Sequence, residues 1–310
     1  MSAQDFETRR LSFFRAQGCA PRKWRFEDRQ GRETYALRVG EGPVPTVLVH
    51  GGLDHAGGWS LIAPHLRGPL VIPDRPGCGL GYPVDYRGVD YRAAAAEWLL
   101  ALVDALGVEK VDIVGNSMGG YFSIAFATAH PERVRNLILP GCPASLDRKI
   151  PLFMRLMGRP VIGPQLAKLT AGDPETTREK IFKDLVAHPE RVPTELLAIG
   201  QMNASFPASQ HCSHTMLGAF TSLLGVRPQV KVRDDLERLD LPTFFVWGDK
   251  DSFGPPSTGQ ALVERMPNAR LEILEDVGHL PHIEVPERLA RLIDGFIAEG
   301  ERALEHATPV

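Results

Sequence analysis

Ser117 stands at the centre of Gly115-Asn116-Ser117-Met118-Gly119, between a β-branched run (Val111, Ile113, Val114) and an apolar segment that reads as helix. A serine with small residues two positions either side, set between a strand and a helix, is the pattern of an activated nucleophile. The turn is so tight that its central residue takes a strained backbone conformation and its flanks admit no bulk. The hydroxyl is lifted out of the sheet to the start of a helix, whose free N–H groups favour negative charge. A free hydroxyl is a weak nucleophile at neutral pH, so a base is required. His279 meets that need, in a loop just past an apolar run and preceded by Gly278. An acid must then fix the imidazole tautomer and stabilise its cation; Asp249 and Asp251, after the preceding apolar run, compete for that place.

The surrounding chain must supply strands that end at these loops. Trp24–Asp28 and Thr34–Val39 read as two strands of a hairpin turning at Gln30–Gly31. Thr46–Val49, Leu70–Pro73, Val111–Val114, Val134–Leu139, Pro242–Trp247 and Arg270–Leu274 are short apolar runs, suited to a parallel sheet buried on both faces. Between them, Tyr91, Ala95, Trp98, Leu99, Leu102 and Leu106 recur at helical spacing, with Gly107 ending the helix. Phe6, Leu11, Phe13 and Phe14 mark an amphipathic helix near the start, expected on the domain's edge, and a last helix opens at Pro286. From residue 145 to 239 the rhythm changes. Leu152–Leu156, Ile181–Val186, Leu196–Ile199 and Met216–Leu224 read as helices, and the charges Lys168, Arg178, Glu179, Lys180, Lys183 and Asp184 read as a solvated face. The expected organisation is an α/β core of residues 1–144 and 240–310, with a mostly parallel central sheet flanked by helices. A helical cap of residues 145–239 is inserted over the sheet's active end.

Composition narrows the class. With 310 residues, 43% hydrophobic and 24% charged, the chain is expected to be globular with a sizeable core. A net charge of −3 excludes nucleic acid or an anionic membrane as main partner, leaving a small-molecule substrate. The charged opening and the absence of a transmembrane-length apolar run predict a cytoplasmic protein. Four scattered cysteines indicate neither a zinc site nor a disulfide framework; Cys78 and Cys142 are expected to be buried and inert. Monomer and homodimer both stay open.

The run His50-Gly51-Gly52, then Asp74 followed by Gly77-Cys78-Gly79, the Ser117 turn, Trp247-Gly248-Asp249-Lys250-Asp251 and Gly278-His279 occur in an order that resembles the α/β-hydrolase fold family, serine branch. The resemblance runs from about Thr34 to Phe296. It implies Ser117 as nucleophile, His279 as base and, by the pattern Trp-Gly-x-x-Asp, Asp251 as acid. It further implies an oxyanion hole from the backbone N–H groups of Met118 and Gly52, with Leu53 as second choice, and no metal or organic cofactor. A serine nucleophile argues against the dehalogenase and epoxide hydrolase branches, which need a carboxylate there. Trp59, Phe153, Met157, Phe206 and His214 are the expected lining of the substrate pocket, with Met154, Met202 and Phe220 adding apolar surface. His50 is expected to brace the oxyanion turn, and His282 to serve local structure. The expected reaction is hydrolysis of a small-to-medium, largely apolar carboxylic ester through an acyl-enzyme. The alternatives are carbon–carbon hydrolysis of ring-fission products, which the elbow Gly-Asn-Ser-Met-Gly-Gly also resembles, lactone or thioester cleavage, and ligand binding without catalysis. Enzymes of the carbon–carbon type commonly carry Trp after the catalytic His, where this chain has Leu280.

Overall fold

A computed structural model describes residues 2–146, 150, 152–163, 165–166, 182 and 184–307, without the side chains of Phe153 and residues 303–307. Among them, eight strands form one sheet in the order β1-β2-β4-β3-β5-β6-β9-β10. These are β1 (Arg22–Glu27), β2 (Glu33–Val39), β3 (Thr46–Val49), β4 (Leu70–Pro73), β5 (Val111–Gly115), β6 (Val134–Pro140), β9 (Thr243–Gly248) and β10 (Ala269–Leu274). β2 runs antiparallel to β1 and to β4, and the other neighbours are parallel. The mostly parallel sheet expected from the apolar runs is present.

Alternation along the strands places helices on both faces. Val47, Val49, Ile113, Leu137, Leu139, Phe245 and Trp247 share one buried cluster with helices α2 (Tyr91–Leu106) and α3 (Met118–Ala129). Leu48, Val114, Ile138, Phe244 and Val246 face the other way, against Leu289, Ile293 and Phe296 of the last helix, Pro286–Ala307. Side chains of successive strand residues point to opposite faces, so a strand apolar throughout is covered twice. α2 starts where the Asp90 carboxylate accepts the N–H groups of Arg92 and Ala93, and stops at Gly107 in the left-handed region.

The described residues between β6 and β9 are chiefly helical: α4 (Leu152–Met157), α5 (Thr194–Ser205), α6 (Pro207–Phe220) and α7 (Arg233–Glu237). The helix expected over Met216–Leu224 ends at Phe220 instead. Thr221 is extended, and β7 (Thr221–Ser222) pairs with β8 (Gly225–Val226) in a tight hairpin, with Gly225 at φ 127°. A β-branched residue followed by a nearby glycine favours that turn over another helical turn. Of the helix expected at Ile181–Val186 and the charged face beside it, Ile181, Lys168, Arg178, Glu179, Lys180 and Lys183 lie outside the described residues, and Asp184 is exposed. Among the described residues no helix is long and apolar enough to cross a membrane.

The first helix, α1 (Ala3–Ala16), is more than an edge helix. Its Phe6 and Phe13 pack with Leu196, Ile199 and Met202 of α5, and Arg9 holds the Glu195 carboxylate at 2.6 and 2.8 Å. Arg10 is fully buried and donates through Nη1 to both oxygens of Asp74, at 2.9 and 2.7 Å. Asp74 also accepts the backbone N–H of Ala56 and of Leu80, so this ion pair ties α1 to the loops after β3 and β4. Removing one partner of a fully buried pair strands the other charge. Arg10→Met is expected to lower unfolding free energy by about 3–5 kcal/mol. Urea denaturation checks it, and a second change, Asp74→Asn, in the same chain is expected to recover part of the loss.

Candidate active site

Ser117 adopts φ 53° and ψ −113° between β5 and α3, a strained conformation for a residue with a side chain. The flanking glycines are required by contact. A Cβ on Gly115 would fall 2.6 Å from the Gly119 carbonyl oxygen, and one on Gly119 would lie 2.6 Å from the His50 carbonyl oxygen and collide with Val49 O. The turn is tied to its surroundings by Asn116, whose Nδ2 donates to Pro140 O at 2.8 Å and to His279 O at 3.0 Å. One side chain therefore joins the serine turn, the end of β6 and the histidine loop. Asn116 carries no such signal in the sequence, where it is simply the residue before the serine.

The turn after β3 lies directly against Ser117. A Cβ built on Gly51 would be 3.6 Å from Ser117 Cβ, and one on Gly52 would be 3.8 Å from Met118 Cβ. Gly52 is exposed, and Leu53, at φ 61°, is more than half exposed. His50 is fully buried: its Nδ1 bonds Gly51 O at 3.0 Å and its Nε2 accepts the Arg75 backbone N–H at 3.0 Å. The ring is thus neutral with its proton on Nδ1, and burial, aided by the Arg75 charge, holds its pKa well below the ordinary histidine value. The buried Arg75 guanidinium in turn donates to His50 O at 3.0 Å and Gly51 O at 2.6 Å, and sits 5.0 Å from the Phe122 ring centroid. From the other side Asn203 of α5 donates to Leu53 O at 3.1 Å. Beside the turn, burial pushes the Asp54 carboxyl up to about 7.

His279 and Asp251 are brought together. His279 Nδ1 lies 2.9 Å from Asp251 Oδ2 and 3.0 Å from Oδ1, both residues being buried. Asp251 also accepts the backbone N–H groups of Cys142 at 2.8 Å and Phe253 at 2.7 Å. Phe253 stacks on the imidazole at 4.3 Å between centroids. His279 Nε2 is buried and has no hydrogen-bond partner among the described residues. Asp249, the competing carboxylate, lies elsewhere: it accepts the Val277 N–H at 3.3 Å and pairs with Lys250 at 3.5 Å. Glu284 was not apparent from sequence, yet its two oxygens take the N–H groups of Gly278 and Ala187, at 2.8 and 2.7 Å, splinting the histidine loop to the insert. His279 N–H adds a bond to Leu185 O at 2.7 Å. His282 is buried against Trp59 at 4.4 Å, and burial together with His279 holds it neutral, at a pKa of about 3.

The expected pocket lining fares differently residue by residue. Trp59 is fully buried in the core beside the turn after β3, in the cluster with Leu48, Val114 and Val246, since a tryptophan at the end of a glycine-rich turn can pack onto the sheet's face. Phe206 packs edge-on against Phe6 of α1 at 5.3 Å, so it too serves the contact between α1 and α5. Met157 is half-buried at the end of α4, and the Phe153 side chain lies outside the described residues. His214 lines a cleft that Ser117 does not, among residues of the insert and the Tyr86–Val89 loop. All four cysteines are buried, and none forms a disulfide.

The family model for the alpha/beta hydrolase fold matches residues 44–286. A 2-hydroxymuconate semialdehyde hydrolase of Pseudomonas putida is 30% identical over 279 residues, covering 87% of this chain and 92% of the relative. A pimeloyl-[acyl-carrier protein] methyl ester esterase of Aeromonas hydrophila is 30% identical over 269 residues, covering 84% and 97%. Among solved structures, a 2-hydroxy-6-oxo-6-phenylhexa-2,4-dienoate hydrolase from Rhodococcus sp. strain RHA1 superposes with a TM-score of 0.76 at 24% identity, covering 90% of this chain and 99% of that one.

Proposed function

Since the chain belongs to the α/β-hydrolase fold family, we propose that it is a serine hydrolase of small-to-medium, largely apolar carboxylic esters, working through Ser117, His279 and Asp251. The observation that carries this reading is the buried His279–Asp251 pair, at 2.9 and 3.0 Å, locked by Asn116 to the turn that bears the strained Ser117. Asp251 fixes the Nδ1–H tautomer, which leaves Nε2 as the basic nitrogen. Nε2 takes the Ser117 proton as Oγ adds to the ester carbonyl carbon. The negative oxygen is held by the N–H groups of Gly52 and Met118, with Leu53 the second choice for the first of these. His279 then gives its proton to the leaving alcohol, and water, deprotonated by the same ring, hydrolyses the acyl-enzyme. The segment of residues 145–239 acts as a cap over this site, with 1–144 and 240–310 as the core. Contacts from Asn203 to Leu53 O and from Leu185 O to the His279 N–H support that placement.

A second reading, carbon–carbon hydrolysis of ring-fission products, is favoured by the elbow Gly-Asn-Ser-Met-Gly-Gly and by the similarity to the Pseudomonas putida enzyme. Against it, Leu280 follows His279, where enzymes of the carbon–carbon type commonly carry Trp. The similarity to the methyl ester esterase supports the first reading. Initial rates on p-nitrophenyl esters from acetate to octanoate, beside a ring-fission dienone, separate the two. Ester turnover with kcat/KM at least about tenfold above that for the dienone is expected. A preference for the dienone would replace the ester reading by the carbon–carbon one.

A further inference from the structure

A cleft of about 330 Å³ opens between the insert and the Tyr86–Val89 loop, and three guanidinium groups, of Arg87, Arg159 and Arg227, line it. Their states differ. Arg87 is committed to Asp85, with two contacts at 2.9 Å from its Nε. Arg159 and Arg227 have no carboxylate partner among the described residues. Arg159 donates from Nε to Arg155 O at 3.1 Å and from Nη2 to Thr221 O and, at 3.4 Å, to Thr221 Oγ1. Arg227 donates from Nε alone, to Gly218 O at 3.1 Å and Thr221 O at 3.0 Å.

The two cations therefore share one acceptor, Thr221 O, and stand side by side. Capping carbonyls at the end of α6 accounts for Arg159 Nη2 and Arg227 Nε, since cations are favoured at a helix C-terminus, and Arg155 O takes Arg159 Nε. Among the described residues, this leaves both terminal nitrogens of Arg227 and Nη1 of Arg159 without a partner, in residues that line a cleft. Adjacent like charges oppose each other; burial and the Arg227 charge both lower the Arg159 pKa. A planar fork with free N–H groups matches the two oxygens of a carboxylate or phosphate, and such an anion would relieve the repulsion. Thr215 and His214 complete the wall with further polar groups.

We propose that this cleft binds a small oxyanion, a carboxylate or phosphate group, on the paired guanidiniums of Arg159 and Arg227. It is separate from the catalytic constellation: Ser117, Asp251 and His279 do not line it, and the ring layer of Tyr86, Tyr91 and Tyr121, at 4.7 and 5.5 Å between successive centroids, links the cleft wall to the helix that begins after Ser117. The oxyanion comes either from a free anion or from an acidic end of the substrate itself.

The first arm of the test is titration calorimetry with inorganic phosphate and with succinate at low ionic strength, on the full chain. Saturable one-to-one binding is expected for at least one of them, weakened at least about tenfold in Arg159→Gln and in Arg227→Gln. Circular dichroism verifies that each variant is folded, and Arg227→Lys, which keeps the charge but not the fork, is the second variant should Arg227→Gln unfold. Absence of saturable binding to the unaltered protein, or equal affinity in folded variants, overturns the proposal. This arm needs no turnover, so it stands or falls apart from the ester reading. The second arm compares KM for a methyl ester bearing a terminal carboxylate with that for its neutral analogue. A lower KM for the acid, lost in Arg159→Gln, assigns the cleft to the substrate's own tail. Equal KM values with phosphate binding intact assign it to a free anion.

Discussion

Ser117→Ala is expected to lower kcat for p-nitrophenyl acetate by about 10⁴–10⁶-fold, leaving only the slow turnover supplied by binding and the oxyanion donors. The size follows from what the hydroxyl does. Without Oγ there is no covalent intermediate, and His279 has no proton to take from the protein. The alanine side chain keeps the Cβ that the φ 53° turn already accommodates, so the backbone and the Asn116 bonds to Pro140 O and His279 O are retained. His279→Ala is expected to cost a similar factor, and the two changes together little more than either, because the pair acts as one unit. Stopped-assay rates on the purified variants measure this. Equal slow rates for Ser117→Ala and the unaltered protein would mean that the serine is not the nucleophile and that the ester reading fails.

Asp251→Asn is expected to lower kcat by about 10⁴-fold, while Asp249→Asn changes it little. Each oxygen of Asp251 accepts one backbone N–H, from Phe253 or Cys142, and both face His279 Nδ1. The Cys142 and Phe253 bonds require acceptors, so an asparagine must aim its NH₂ either at a backbone donor or at the imidazole. In the second case Nδ1 becomes an acceptor, the proton moves to Nε2, and the ring no longer accepts the Ser117 proton. In the first, a buried N–H is left without an acceptor, at about 1–3 kcal/mol. Asp249 faces Val277 and Lys250 and offers no such coupling. A pH–rate profile distinguishes the outcomes: loss of kcat at every pH is expected for Asp251→Asn. Crippling by Asp249→Asn with Asp251→Asn intact would reverse the assignment of the acid.

Local patterns carried most of the fold, and tertiary contacts carried what the patterns missed. The apolar runs at Thr46–Val49 and Leu70–Pro73 coincide with β3 and β4, because a four-residue strand buried on both faces has no charged position to blur its ends. The glycines around Ser117 were readable for the same reason: steric exclusion at Gly115 and Gly119 is set by chain neighbours and the adjoining strand. Arg10 was opaque. A charged residue on an amphipathic helix reads as exposed, and only Asp74, brought in from a distant loop, turns it into a core residue. Trp59 and Phe206 show the limit for pockets, since an aromatic in a loop or at a helix end packs inward as readily as it lines a cleft. Asn116 and Glu284 are positioning residues whose backbone partners are invisible in composition or spacing.

The attachments of α1 bear on the order of events during synthesis. Its anchoring bonds span 64 residues from Arg10 to Asp74 and 186 from Arg9 to Glu195. Because Asp74 and Glu195 follow it in the chain, α1 leaves the ribosome before its ion-pair partners, and contacts of such long range form late because loop closure opposes them. Until α5 has emerged, Phe6 and Phe13 lack the Leu196, Ile199 and Met202 side of their cluster, and they form a sticky segment that the nascent chain must carry. Docking of α1 completes the Arg10–Asp74 pair that also holds the loops after β3 and β4, so a helix made before those loops is fixed only after them.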